Sequence, residues 1–273
     1  MRLRAVFIAL VILLGAWGVL RAQKPFKAYP GVEYEDFPLP DDYQRTAEFT
    51  RARLIYHAIL HVHPPGPGVY ENGPRSWTID YPRSDRHLLA GIARLTRIDT
   101  RSVEQSVELD NSDDVYNWPM LYGVEVGHRN LNDEEAAQMR EFLLRGGFFM
   151  CDDFHGTVEW NIFMAGIRKV FPDRPVVDLD SKDPIFHTVY DLDDRIQVPG
   201  MQYVYSHVPY EYDGFQPKWR GIYDDHGRLM VAICHNMDLG DAWENSDDPR
   251  YPEKFAALAY RIAVNYVIYD LSH

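Results

Sequence analysis

Two kinds of apolar pattern alternate along the chain and predict a mixed α/β fold. Short segments that are wholly apolar, or that alternate apolar with polar residues, are typical of strands, and they cover residues 54–60, 102–109, 120–126, 148–151, 175–179 and 228–234. Between them, apolar residues recur at helical spacing over residues 84–95, 132–145, 157–171 and 252–269. Strands that alternate with helices imply a three-layer sandwich with a mostly parallel sheet.

The boundaries of these elements carry their own signals. Ser84 and Asn132 are residue types that cap helix N-termini, and Gly146-Gly147 is typical of a helix C-terminus. Residues 180–220 show no regular period and predict a long irregular excursion from the sheet.

The first 22 residues differ in composition from the rest of the chain. Arg2 and Arg4 precede an unbroken apolar run from Ala5 to Leu20, and Ala22 is a small residue at which cleavage can occur. This order describes a secretory signal peptide. An uncleaved N-terminal anchor is the alternative, because Leu20 is a poor residue at the third position before the cut. Both interpretations predict an exported protein, periplasmic or in the cell envelope.

The remaining chain is predicted to be an arm followed by one domain. Residues 23–50 are rich in proline, tyrosine and acidic residues and show no period, which indicates an extended arm. Residues 51–273 have a length that suits a single α/β domain. Cys151 and Cys234 both lie in apolar runs, so we expect two buried thiols rather than a disulfide.

The acidic composition limits the classes of partner. The formal net charge is -13, and such a charge repels phosphate backbones and anionic lipid headgroups. The sequence therefore excludes nucleic acid as a partner.

Acidic residues and a histidine follow two of the predicted strands directly. Ligands of parallel α/β sheets bind beyond the carboxyl ends of the strands, and carboxylates with imidazoles hold divalent cations or act as general acids and bases. The candidate catalytic residues are Asp152, Asp153 and His155 after one strand and Asp241 and Glu244 after the other. Candidate binding residues are Asp238 and Trp243 in the second loop, and Asp80 in the aromatic segment 77–82 ahead of a helix.

Two structural interpretations compete with this predicted site. Asp152 or Asp153 can cap the helix that follows, and Asp238 and Asp241 can order a turn. No metal is firmly predicted, and a divalent metal is the one cofactor that the residues suggest.

Two further motifs suggest other chemistry. Cys151 at a strand-to-helix turn could be a nucleophile, but the adjacent acids raise the pKa of such a thiol. His61 and His63 share one face of an extended segment and could bind zinc. No third ligand is evident near them, so a solvated loop is the alternative.

Three segments carry a resemblance to a known family. The stretches 77–98, 143–156 and 240–273 resemble the bacterial domain-of-unknown-function family four-one-five-nine. The resemblance implies a flavodoxin-like fold similar to the class I glutamine amidotransferase-like superfamily, and partners among membrane or cell-envelope proteins. True amidotransferases have a Gly-x-Cys-x-Gly elbow, to which Met150-Cys151-Asp152 and the residues up to Gly156 look similar. The first glycine and a closing His-x-Glu motif are missing, so amidotransfer is not implied.

The sequence leaves three functional hypotheses. The first is a non-catalytic binding or interaction module of the bacterial cell envelope. The alternative is a metal- or carboxylate-dependent hydrolase that acts on a polar, carbohydrate-like substrate. The third is a thiol enzyme that uses Cys151. Substrate and oligomeric state do not follow from the sequence.

Overall fold

The computed structural model describes residues 24–29, 38–59, 62 and 76–273. Within these residues one sheet contains seven strands, which are β1 (Ala52–Ile55), β2 (Gln105–Glu108), β3 (Met120–Val124), β4 (Phe148–Asp152), β5 (Val177–Asp178), β6 (Lys218–Tyr223) and β7 (Leu229–His235). Their order in space is β2-β1-β3-β4-β7-β6-β5. The neighbouring pairs from β2 to β7 are parallel, and β6 pairs antiparallel with both β7 and β5. The predicted α/β class with a mostly parallel sheet is confirmed.

Helices cover both faces of the sheet. They are α1 (Arg83–Leu95), α2 (Asp133–Leu144), α3 (Gly156–Val170), α4 (Gln202–Ser206), α5 (Leu239–Glu244) and α6 (Glu253–Ser272). Successive side chains of a strand point to opposite faces. Accordingly Phe148 and Met150 pack in the core beneath α1, α5 and α6, whereas Phe149 and Cys151 pack beneath α2 and α3.

Several boundaries differ from the sequence-based prediction. β1 begins at Ala52 and ends at Ile55, because the backbone beyond it leaves the sheet and forms only an isolated bridge between Ala58 and Arg129. Asn132 caps α2 with a complete capping box, as predicted. Ser84 is not a cap, since α1 begins at Arg83 without a side-chain cap, and the Ser84 hydroxyl instead accepts a hydrogen bond from Arg51 at 3.3 Å.

The region predicted to be irregular contains a short α-helix and the start of a strand. β6 and the short helix α4 fall within or at the end of residues 180–220. β6 was missed because its first residues, Lys218, Trp219 and Arg220, are only partly buried and show no apolar period. It is held by its ladder with β7.

The described start of the arm packs beside the segments that precede and follow β2. The Lys24 ammonium group forms an ion pair with Asp110 at 2.8 Å, and the Lys24 backbone nitrogen donates to Asp114 at 2.9 Å. Lys24 and Phe26 help to line a cavity of about 310 Å³, together with Arg101 and Trp118.

The predicted leader, residues 1–22, lies outside the described residues, as do His61 and His63. Within the part of the chain that the structure describes, none of the helices combines the length and the apolar character that crossing a bilayer requires.

Candidate functional site

The sheet has a change of chain direction at the pair β1 and β3. The chain moves outward from β1 to β2 on one side and from β3 to β4 on the other. In open α/β sheets such a point leaves a crevice at the carboxyl ends of the strands. Tyr56, which follows β1, is held against the end of β3, since its hydroxyl donates to the carbonyl oxygens of Val124 and Glu125, both at 2.9 Å.

The loops after β4 and β7 lie side by side at the same edge. The Asp153 backbone nitrogen donates to the Met237 carbonyl oxygen at 3.0 Å, and Asn236 donates in the same way to Phe154. Two strands that are far apart in sequence therefore bring the residues that follow them to one place, as predicted for neighbouring strands.

Asp152 ties these two loops together. Its Oδ2 atom accepts hydrogen bonds from the backbone nitrogens of Leu239 at 2.8 Å and Gly240 at 3.0 Å, and from the Tyr122 hydroxyl at 3.2 Å. The side chain is fully buried, and burial raises its pKa to about 7. These contacts fit a structural role at the base of the site better than a role in contact with a ligand.

Five carboxylates gather above Asp152, and we call them the acidic cluster: Asp80, Asp153, Asp238, Asp241 and Glu244. One carboxylate oxygen from each of Asp80, Asp153 and Asp238 lies within 4.8 Å of the others. The same holds for Asp80, Asp241 and Glu244, so Asp80 belongs to both groups. All five residues are among those predicted from the sequence, and they come from three separate segments.

Local backbone structure holds these carboxylates in place. Asp80 and Asp153 both adopt left-handed conformations, with φ of 58° and 50°, which turn their side chains out of the regular elements that flank them. Asp238 is the N-cap of α5 and accepts a hydrogen bond from the Asp241 nitrogen at 2.7 Å. Asp241 accepts one from the Met201 nitrogen at 2.6 Å. The turn-ordering role that was the alternative for Asp238 and Asp241 is thus present, together with the close approach of the carboxylate oxygens in the cluster.

The carboxylates of the cluster oppose one another's ionisation. Burial raises the pKa of Asp153 well above its ordinary value, and the negative charges of Glu125 and Glu211 add to this effect. Burial likewise raises the pKa of Asp238, reinforced by the charges of Asp153 and Asp241. A bound cation would remove this repulsion.

His155 stands at the side of the acidic cluster. Its Nε2 atom lies 3.1 Å from Asp153 Oδ1 and 3.9 Å from Glu211 Oε1, and its side chain is buried. The structure therefore pairs the predicted histidine directly with a predicted carboxylate.

A second polar group adjoins the acidic cluster and was not predicted from the sequence. His128 lies between two carboxylates, with Nε2 3.1 Å from Glu159 Oε1 and Nδ1 3.4 Å from Glu125 Oε2. Although burial opposes protonation, these two hydrogen bonds raise the pKa of His128 to about 10. The Glu159 carboxylate also accepts a hydrogen bond from the backbone nitrogen of His155, which joins this group to the site.

Glu125 occupies a sharp turn directly after β3. Its φ and ψ angles are 46° and 39°. This left-handed conformation is unfavourable in free energy for any residue other than glycine, and it is common at functional sites. Gly123 and Gly127 flank it, and a Cβ atom at either position would overlap Phe149 or Glu159. The signal for this residue was present in the sequence as an acid between two glycines.

Trp243, a predicted binding residue, does not face the site. Trp243 is completely buried and packs edge-on against Tyr122, with ring centroids 5.9 Å apart. The Arg51 guanidinium lies over both rings. Trp243 therefore belongs to the core, and this position does not suit the predicted contact with a ligand.

Cys151 does not lie at a turn. It is the fourth residue of β4 and is fully buried, and burial raises the pKa of its thiol well above the ordinary value. Cys234 is also buried, and neither forms a disulfide, which confirms the expectation of two buried thiols. A nucleophilic thiolate is disfavoured at both positions.

Most of the chain matches a known protein family. A sequence model of one protein family, described as a domain of unknown function, matches residues 69–271, which is most of the chain. No curated protein matches the sequence.

Proposed function

The chain belongs to the family Domain of unknown function (DUF4159), and we propose that it is an extracytoplasmic binding module whose acidic cluster holds a divalent cation. The cation would in turn bind an oxygen-rich ligand at the carboxyl edge of the sheet. The observation that carries this proposal is the approach of the carboxylate oxygens of Asp80, Asp153 and Asp238 to within 4.8 Å of one another.

The chemistry of the cluster supports a hard cation. Ca²⁺ and Mg²⁺ are bound by oxygen ligands, chiefly carboxylates and backbone carbonyls, and every member of the cluster is a carboxylate. Ca²⁺ accepts six to eight oxygens in flexible geometry, whereas Mg²⁺ requires a near-ideal octahedron. The two overlapping groups that share Asp80 suit the larger and more tolerant ion.

The proposal is tested by cation binding to the full chain after chelator treatment. Titration with Ca²⁺, Mg²⁺ and Mn²⁺ is expected to release heat and to raise the melting temperature, because a ligand that binds only the folded state stabilises it. Asp153→Asn and Asp238→Asn should each weaken binding about tenfold or more. Asparagine remains a good N-cap at residue 238, so α5 should persist.

A matched control separates the cluster from surface charge. Glu108 is exposed at the end of β2, and Glu108→Gln should leave cation binding unchanged. Absence of binding by the full chain, or equal binding by Asp153→Asn and the unmodified chain, would contradict the proposal.

A hydrolase is the second candidate, and the pairing of His155 with Asp153 favours it. A bound cation lowers the pKa of a coordinated water, and a histidine within hydrogen-bond distance of a cation ligand is placed to accept the water proton. Hydrolysis would add this water across the scissile bond of a carbohydrate-like substrate. The hydrolase would be supported by cation-dependent cleavage of nitrophenyl glycosides or esters. His155→Gln should then lose this cleavage and keep its cation binding. Absence of cleavage while the cation is bound would contradict the hydrolase and leave the binding module as the remaining proposal.

The location of the protein is proposed from the composition of its leader. Arg2 and Arg4 followed by the apolar run from Ala5 to Leu20 support export, and membrane or cell-envelope proteins are the proposed partners. Fractionation of cells that produce the full chain, with N-terminal sequencing of the product, tests both export and cleavage after Ala22.

We further propose that the fold is similar to the class I glutamine amidotransferase-like superfamily. The strand order around β2, β1, β3 and β4 and the left-handed residue after β3 support this similarity. The elbow then corresponds to Gly123-Val124-Glu125-Val126-Gly127 rather than to the segment that contains Cys151, and a carboxylate replaces the thiol. An assay for ammonia release from glutamine should accordingly be negative.

A further inference from the structure

The segment of residues 200–216, here the aromatic loop, includes the short helix α4 and is fixed over the acidic cluster. At its start, the Met201 nitrogen donates to Asp241 Oδ2 at 2.6 Å. Near its end, Asp213 accepts hydrogen bonds from the backbone nitrogen and the hydroxyl of Thr157, at 2.8 and 2.7 Å. A Cβ atom at residue 200 would overlap the carboxylates of Asp238 and Asp241, so the loop lies in direct contact with the cluster.

The aromatic loop presents unusually exposed aromatic rings. Tyr205 is 71% exposed, Phe215 62%, Tyr212 41% and Tyr210 37%. The Tyr210 and Phe215 rings support each other edge to face, with centroids 4.9 Å apart. Large apolar groups grouped at a surface commonly mark a binding site, and aromatic rings contribute strongly to interfaces.

The Glu211 carboxylate lies beside these rings. The Glu211 side chain is 33% exposed and accepts a hydrogen bond from Gln202 Nε2 at 3.0 Å. It approaches His155 at 3.9 Å, which places it between the aromatic loop and the acidic cluster. A ligand stacked on the rings would meet carboxylates at one side.

We propose that the aromatic loop binds a neutral oligosaccharide. The C–H faces of sugar rings are apolar and stack on aromatic rings, while sugar hydroxyls donate to carboxylates. A protein of net charge -13 repels anionic polymers, and the Glu211 carboxylate beside the rings favours a ligand that carries hydroxyl donors. The inference rests on the proposed binding function and specifies its ligand class.

The test is electrophoresis of the full chain through native gels that contain xylan, mannan, β-glucan or starch, with polygalacturonate as the anionic polymer. Retardation by at least one neutral polymer and none by polygalacturonate is expected. Tyr205→Ala and Phe215→Ala should each weaken retention about fivefold or more. Both rings are exposed, so the fold should be kept, and circular dichroism verifies it. Leu271→Ala, at a residue that is 44% exposed on α6, is the matched control and should behave as the unmodified chain.

Two results would overturn the proposal: no retardation by any neutral polymer, or equal retention of the two ring variants and the unmodified chain. The same gels, run once with a chelator and once with the Asp153→Asn variant, distinguish the oligosaccharide proposal from the cation proposal. Retention that survives both would uphold the aromatic loop, and cation binding by the full chain without retention would uphold only the acidic cluster.

Discussion

The carboxylate of Asp80 rests against the backbone of Gly240. A Cβ atom at residue 240 would overlap Asp80 Oδ2 and would lie 3.2 Å from the Tyr122 hydroxyl. The same glycine donates its backbone N–H to Asp152. The first turn of α5 can therefore approach the acidic cluster only because residue 240 has no side chain.

Gly240→Ala is expected to displace Asp80 and to destabilise the protein. Overpacking of a well-packed site costs about 1–3 kcal/mol, measured as a lower free energy of unfolding in denaturant, and cation affinity should fall with it. Gly166→Ala is the control. Residue 166 lies inside α3, where an added Cβ atom would make ordinary contacts with Leu131 at 3.6 Å, and alanine there should stabilise by about 0.5–1 kcal/mol. Equal effects of the two substitutions would show that the contact with Asp80 does not constrain residue 240.

The left-handed conformation of Glu125 gives a second prediction, based on two variants of one position. Glu125→Ala and Glu125→Gly both remove the carboxylate, but only glycine adopts this backbone conformation without cost, so the glycine variant should be the more stable by about 1 kcal/mol. The order should reverse at Ala257, an exposed residue inside α6, where glycine destabilises a helix by about 1 kcal/mol. Chemical denaturation of the four proteins measures both differences. A more stable alanine variant at residue 125 would contradict the assigned conformation.

The sheet could be predicted from the sequence because its central strands are buried on both faces. Continuous apolar runs such as Phe148–Cys151 arise when helices cover both sides, and the polar residues directly after them mark the functional edge. This logic found Asp153 and Asp238. The short antiparallel strand β6 was missed because its partly exposed residues carry no such run.

Glu125, Glu159 and His128 were not predicted from the sequence, for a physical reason. Val124 and Val126 continue the apolar alternation of β3, so the predicted strand runs to residue 126 and includes Glu125. The strand in fact ends at Val124, and the backbone at Glu125 turns into the left-handed region. Glu159 and His128 come from separate elements, and only the tertiary fold brings them together. Trp243 is the opposite case, because its position in a polar loop gave no sign that its ring is buried in the core.

Asp270 provides a prediction on pH. It lies in the last turn of α6, where the helix dipole disfavours a negative charge, and burial raises its pKa to about 7, opposed by the charge of Arg228. Because the folded pKa exceeds the unfolded value of about 3.9, the folded state binds the proton more tightly, and stability falls as pH rises from about 4 to 7.

Asp270→Asn removes this ionisation without changing the size of the side chain. The variant should match the unmodified chain near pH 4 and exceed its stability by about 1–2 kcal/mol at pH 8, a value reduced for partial exposure. Denaturation at both pH values measures the difference, and Asp225→Asn, at an exposed acid whose pKa is lowered by Arg174, should show no gain at pH 8. A constant difference across the pH range would indicate a packing effect and contradict the prediction.

The two cysteines give the last prediction, which bears on thiol chemistry. Cys151 and Cys234 are fully buried in adjacent strands of the sheet, and burial raises the pKa of both thiols well above the ordinary value. Because the thiolate is the reactive form, neither residue should react with iodoacetamide at neutral pH in the folded protein, and both should react after denaturation. Mass spectrometry of the modified chain counts the labels. Cys151→Ala, which deletes only a small buried group, should leave cation binding unchanged. Rapid labelling of Cys151 in the folded state, with loss of cation binding in Cys151→Ala, would return the thiol to the functional site.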